Sequence, residues 1–324
     1  MRLNQGSRRD AVHRFWQREW TTNRTAFKGL TTFLAYGLLL AAPGIVAAAA
    51  PAPAPGAACD RECLRGMIST YLHALLRHDT ASLPVAEKLR VTEDSIEKEL
   101  DKVGLVRSVT RLRGYRQDFL DEREGIAGSH VVIEESGAPA LLVVRLKVAG
   151  QQITEIETIT TRSRAEGSIF NISGLDTPSE AMGKVPRLDQ LPTREEAIRI
   201  ALLYPAGLDA GSFVTSGVPF TPEAFRIENG TFMAGPQCTR SPDCANIKTQ
   251  PVSNPLRGKI DTRVVAFDER LGIVWLRMEW GTRDNMKLAV WEAFKIHDGK
   301  VHAVEAFMKV ISPGLGSGWP GAVD

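Results

Sequence analysis

The sequence is poor in the residues and spacings from which metal, nucleotide and nucleic-acid sites are usually built. It has four cysteines and six histidines in 324 residues, with no Cys-x-x-Cys and no His-x-x-x-His. The histidines beyond residue 58 (His73, His78, His130, His297 and His302) show no ligand-type clustering along the chain, so no metal site is predicted. Phosphate-binding loops are missing as well. Gly314-Leu315-Gly316-Ser317-Gly318 matches neither the dinucleotide fingerprint nor the nucleophile elbow, and no helical pattern follows it. It reads as a turn-rich tail with Trp319 packing back on the domain, and no cofactor is expected.

Charge is also lacking where a nucleic-acid binder would need it. The chain is formally +2, but residues 1–28 carry Arg2, Arg8, Arg9, Arg14, Arg18, Arg24 and Lys28 against only Asp10 and Glu19. The remainder has 33 basic and 36 acidic side chains, a net −3. A slightly acidic body has no electrostatic footprint for nucleic acid and no polybasic membrane patch.

From Gly29 to Cys59 there is no charged residue, and Leu30 to Ala50 is almost wholly apolar. A basic flank, an apolar core and a run of small residues form the pattern of a secretory leader, with cleavage expected near Ala49. A retained anchor is the rival, since about 20 apolar residues span a bilayer. Residues 1–58 are thus assigned to a signal peptide and an Ala/Pro spacer, and the protein is expected to be secreted or periplasmic. A membrane contact is expected only if the leader stays uncleaved. In an oxidising compartment an even cysteine count suggests disulfides. Of the three connectivities that four cysteines allow, local pairing is expected, Cys59 with Cys63 and Cys238 with Cys244.

Beyond the spacer the pattern occurs twice. Leu64, Met67, Ile68, Tyr71, Leu72, Leu75 and Leu76 recur at helical spacing between Cys59 and His78. Short alternating strands follow at 130–134, 140–148 and 153–160. A polar stretch, 166–191, is read as a linker. Thr193 then opens a helix over Arg194 to Leu203, and strands follow at 263–267, 273–280, 288–296 and 301–310. Leu146-Lys147-Val148, Ile153 and Glu157 align with Phe294-Lys295-Ile296, Val301 and Glu305, with ten residues from lysine to glutamate in both. Leu89-Arg90-Val91-Thr92-Glu93 loosely parallels Phe225-Arg226-Ile227-Glu228. The expected architecture is α+β: two tandem domains, 59–165 and 192–324, each with helices packed on a curved antiparallel sheet.

A leading helix, a polar segment and a bent sheet ending in this hairpin resemble the nuclear transport factor 2-like superfamily, and within it the SnoaL-like branch. The resemblance covers residues 59–165 and 190–320 and rests on pattern more than on signature residues. It implies a conical cavity closed by helices in each half. Its members include ketosteroid isomerase, scytalone dehydratase, polyketide cyclases and non-catalytic binders, so fold constrains function little.

Candidate chemistry follows from strand pairing. With Asp298-Gly299 as a two-residue turn, His297 faces Lys300, Ile296 faces Val301, Phe294 faces Ala303 and Glu292 faces Glu305. Glu292, Phe294 and Glu305 would then share an apolar face, and one of the two carboxyls would take up a proton. In the first half, with Gly150-Gln151 as the turn, Val144 faces Glu157 and Leu146 faces Glu155, so Glu157 is the third candidate catalytic group. Tyr71, on the inward stripe of the first helix, is a candidate phenol donor to the first cavity, with a core tyrosine whose hydroxyl is satisfied as the alternative. Arg90 with Glu93, and Arg226 with Glu228 and Asn229, sit where the chain leaves the helical layer for the sheet; a structural ion pair orienting the turn is the first reading of each set, and a substrate-binding group at the mouth of each cone is the functional one. Asn229-Gly230-Thr231 and Asn171-Ile172-Ser173 match the glycosylation sequon. The expectation is an exported, cofactor-independent enzyme of isomerase, lyase or cyclase type acting on a small molecule. The alternatives are a binding protein for an apolar or aromatic ligand, and an interaction protein whose open sheet faces, with Trp291, Lys295 and His297 outward, meet each other or a partner. The assembly is expected to be a monomer with pseudo-dimeric halves or a homodimer.

Overall fold

Two helices of equal length open the two halves. The computed structural model describes residues 58–252, 257–282 and 284–319, so the predicted leader lies outside the described residues. Helix α1, Arg61–Arg77, starts at Asp60, whose carboxylate accepts a bond from the Cys63 amide, and stops at His78 in the left-handed conformation. A Cys59–Cys63 disulfide staples this first turn. Its predicted stripe is fully buried at Leu64, Ile68, Tyr71, Leu72 and Leu75. In the second half, α5 (Arg194–Ala210) starts at Thr193 and ends at Gly211. It runs past Leu203 and through Pro205, because Tyr204, Pro205 and Gly207 are buried. That burial outweighs the one backbone bond a proline removes.

After α1 come β1 (Val85–Glu93), β2 (Ile96–Glu97), a short turn α2 (Leu105–Ser108) and a meander of β3 (Val109–Asp121), β4 (Ile126–Glu135), β5 (Ala138–Ala149) and β6 (Gln152–Thr161). Two short helical turns, α3 (Arg164–Gly167) and α4 (Glu180–Gly183), lie in the connection. Past α5 and α6 (Phe213–Ser216) the strands are β7 (Phe220–Glu228), β8 (Thr231–Ala234), β9 (Arg257–Asp268), β10 (Ile273–Gly281), β11 (Lys287–His297) and β12 (Lys300–Ile311). The strand orders are β2-β1-β6-β5-β4-β3 and β8-β7-β12-β11-β10-β9, the same topology twice. The sheets are not wholly antiparallel. β1 runs parallel to β6 and β7 parallel to β12, because a long connection carries the chain to the far edge before the meander begins.

Each sheet is buried on both faces. One face packs under its own helix, around Leu72, Leu142 and Ile156 in the first half and around Tyr204, Phe294 and Val304 in the second. The other faces meet each other around Phe119, Val143, Trp275, Trp291 and Phe307. Both halves lie in one compact unit, and their contacts are reciprocal. Arg61, first residue of α1, makes a two-pronged ion pair with Asp268 at the end of β9, at 2.8 Å for each bond. Arg194, first residue of α5, does the same with Asp121 at the end of β3. Asp268 also accepts the Leu120 amide, and Asp121 the Phe267 amide. Such exchange is the signature of an approximate two-fold relation.

The 166–191 connection has little regular structure but is not a loose linker. Leu175 and Met182 enter the core between the sheets. Lys295 donates to the carbonyls of Met182, Lys184 and Leu271. Lys147 makes the corresponding bond to the Glu124 carbonyl, so the repeated lysine has one local task, to tie down a strand turn. The second predicted disulfide, Cys238–Cys244, is present. Two disulfides favour an extracellular or otherwise oxidising compartment, and no helix among the described residues is long and apolar enough to cross a membrane.

Candidate active site

The final hairpin begins as predicted and then departs from it. His297 pairs with Lys300 and Ile296 with Val301, but a β-bulge at His302 shifts the ladder by one residue. Glu292 therefore faces Ala306, and Glu305 faces Ala293. A one-residue shift turns every later side chain to the other face, so Glu292 and Glu305 lie on opposite faces of the sheet. The first half has the matching bulge at Thr154, which pairs Arg145 with Glu157 and Lys147 with Glu155 in place of the expected Val144 and Leu146.

Glu305 and Glu157 consequently belong to the seam between the halves, and neither lies on the helix-covered face of its sheet. Glu305 accepts a bond from the Tyr115 hydroxyl of the first half at 2.9 Å, and burial pushes its carboxyl upward. Glu157 takes both of its bonds, 2.8 and 2.9 Å, from Arg263 of the second half. The two-carboxylate site predicted from sequence is thereby dismantled.

Glu292 remains on the face covered by α5, and here a cavity of about 240 Å³ opens. Its polar end is made by Tyr204 from α5, Arg226 and Glu228 from β7, and Glu292 from β11. Its apolar part includes Met233, Trp280, Leu288 and Met308. Arg226 donates to the Tyr204 hydroxyl at 2.9 Å and to Gln250 Oε1 at 3.1 Å, and its Nε lies 2.8 Å from Glu228. Gln250 is in turn fixed by its bond to the Met233 carbonyl. Burial pushes the Glu292 carboxyl up to about 8, and the nearby Arg226 charge only partly offsets it. Burial likewise pushes the Tyr204 phenol well above its ordinary value. For Arg226 burial opposes the charge, but Tyr204, Glu228 and Glu292 around it outweigh that and keep the guanidinium ionised. At neutral pH the cavity thus presents a neutral carboxylic acid, a phenol and a cation held in a fixed fork.

The first half shows what this cluster replaces. Tyr71 and Tyr204 are both the eleventh residue of a seventeen-residue helix. Glu93 and Glu228 both end the first strand of the sheet. Through the ladders, however, Val91 occupies the place of Arg226 and Val144 that of Glu292. The predicted match of Arg90 with Arg226 is off by one residue. Arg90 lies on the opposite face from Val91, pairs with Glu97 and stacks on Trp319 at 4.2 Å, which packs the tail on the domain as expected. Val103, Leu105 and Val106 pack into the core of the first half. Tyr71 is wholly buried there, its hydroxyl without a partner. Glu93 is structural, accepting the Gly104 and Leu105 amides at 2.9 Å each as well as Lys98. Burial works to raise its pKa, and these bonds hold it below the usual carboxylate value.

Three further expectations change. Asn229 is fully buried, donating to the Gly167, Ile169 and Met308 carbonyls and accepting the Met308 amide. It anchors the connection between the halves and is neither a ligand contact nor an accessible glycosylation site. Phe294 shares the face of Glu292 but supports Tyr204 edge-on at 4.9 Å, outside the cavity lining. The histidines do cluster in space: one ligand atom from each of His297, Asp298 and His302 lies within 4.8 Å of the others.

Sequence reasoning found Arg226, Glu228 and Glu292 and missed Tyr204 and Gln250. Aligning the two helices by their caps would have exposed Tyr204 as the partner of Tyr71.

Residues 190–308 match a family model described as a Domain of unknown function (DUF8021). The matched stretch holds the whole polar cluster and leaves out the first half. No curated protein matches the chain.

Proposed function

We propose that the second half is a cofactor-independent acid–base catalyst for a small organic molecule, of isomerase, lyase or cyclase type. The observation that carries this reading is Glu292, a buried carboxyl protonated near neutrality that lines a cavity beside Tyr204 and Arg226. A group with a pKa near the working pH both gives and takes a proton readily. In this scheme Glu292 delivers a proton to, or removes one from, the carbon skeleton, while Arg226 and the Tyr204 hydroxyl hold the oxygen on which negative charge develops. Glu228 keeps Arg226 in place. The first half, its cone filled, serves as scaffold. The matching strand orders support the nuclear transport factor 2-like cone, and the disulfides support export through the segment 1–58.

The apolar rim of Met233, Trp280, Leu288 and Met308 favours a second reading, a carrier of an apolar or aromatic ligand without chemistry. The two are separated by native mass spectrometry to identify a co-purified ligand, followed by solvent-deuterium exchange into it. Catalysis requires exchange with the wild type, and at least about a 100-fold loss in Glu292→Gln with ligand binding kept. Binding without exchange in the wild type leaves the carrier.

A further inference from the structure

We propose that the tip of the β11–β12 hairpin is a binding site for a first-row transition-metal dication of the Zn²⁺ or Cu²⁺ kind, held by His297, His302 and Asp298. The β-bulge at His302 leaves this residue without a partner on β11. Its ring folds back over His297, with centroids 3.5 Å apart and planes 13° from parallel. The Asp298-Gly299 turn sets the carboxylate beside the same pair, and one ligand atom from each of the three residues falls within 4.8 Å of the others.

The bonds already present fix which nitrogens are free. His302 Nε2 lies 3.1 Å from the His297 carbonyl, which can only accept, so this nitrogen carries the proton and Nδ1 keeps its lone pair. His297 Nδ1 lies 3.0 Å from Asp298 Oδ2, and between these two atoms a metal would take the place of the shared proton. The His297 carbonyl behind the His302 ring is the usual kind of support for a metal-bound histidine. The turn is anchored too: Gln190 donates to Asp298 Oδ2 at 3.0 Å, and the Asp298 amide donates to the Gln190 carbonyl at 2.7 Å. Metal–nitrogen bonds of about 2.0–2.1 Å would draw the three ligand atoms together and splay the stacked rings. Imidazole with carboxylate selects zinc or copper over magnesium or calcium.

Two features argue that the cluster is a site and not a casual stack. His297 and His302 border a surface cavity of about 530 Å³ that also touches Glu180, Lys184 and Phe225, so coordination positions beyond the three protein ligands open on a space able to admit water or a small anion. In the first half the equivalent hairpin carries Ala149 and Thr154 in place of the two histidines, the same asymmetry that confines the polar cavity to the second half.

The test is calorimetric titration of the full, untagged chain with Zn²⁺ and with Cu²⁺, joined to electron paramagnetic resonance of the copper form. One equivalent is expected to bind. Nitrogen hyperfine structure from two imidazoles is expected in the wild type and in His73→Gln. Affinity should fall at least about 10-fold in Asp298→Asn and more in His302→Gln and His297→Gln. His302 is only half-buried, so its variant reports even if His297→Gln fails to fold. Absence of stoichiometric binding, or binding that survives His302→Gln undiminished, overturns the proposal.

Discussion

The two ionisable residues singled out first on the sequence, Glu292 and Glu305, differ in surroundings far more than in chemistry. Glu292 sits at the polar end of a cavity, and its carboxyl is raised from 4.5 to about 8 by burial. A raised folded-state value means that this group favours the folded state most at low pH. The contribution is complete below about 4.5 and is lost as pH climbs to about 8. Glu292→Gln removes that slope. Denaturant midpoints measured from pH 5 to 9 should therefore fall less in the variant than in the wild type, with the variant the more stable of the two at pH 9. Another residue-scale expectation concerns Gly128. A Cβ there would lie 2.2 Å from Trp275 Cζ3. Gly128→Ala should therefore cost about 2–3 kcal/mol, read from chemical unfolding.

At the scale of the element, both helices and the final hairpins were legible because their signals are local. A periodic apolar stripe between caps marks a helix, and Asp298-Gly299 marks a turn. The bulges were not legible. Nothing near Thr154 or His302 announces an unpaired residue, since the bulge is chosen by what each face must meet afterwards. Past it, Val304 and Ala306 face the helix while Glu305 and Phe307 face the other sheet. β3 was missed for a related reason: it lies at a sheet edge, and its charged residues, Arg111 and Arg113 among them, mask the buried Tyr115 and Phe119. Deleting His302 would drive Glu305 toward the apolar core and expel Val304 from it. Such a chain should fail to reach the native state, showing circular dichroism without a cooperative thermal transition.

At the scale of the whole molecule the two halves are held by exchanged ion pairs and a shared apolar seam. Arg61→Ala and Arg194→Ala each strand a buried aspartate, Asp268 or Asp121, so each should cost about 3–5 kcal/mol. The two losses should be similar because the sites are copies of one another. A chain ending near residue 165, or one starting near residue 190, would expose the seam lined by Phe119 and Val143 or by Trp275 and Trp291 respectively. Either half alone should self-associate in size-exclusion chromatography. The repeated topology was readable from the Lys147 and Lys295 segments, but the way the two halves meet was not. It depends on which face each strand presents, and that is decided by the bulges.

Gly128 and Trp275 occupy equivalent positions in the two sheets and press against each other across the seam. Were the halves separate identical chains, any substitution at that point would appear on both sides at once, and an indole could face only another indole. A single chain carrying both copies escapes that rule: one side can enlarge while the other shrinks. The same freedom lets one half pack Val103, Leu105 and Val106 into its interior while its twin keeps a carboxyl, a phenol and a guanidinium around an open space, so that which half bears a polar cavity is set independently of the topology they share.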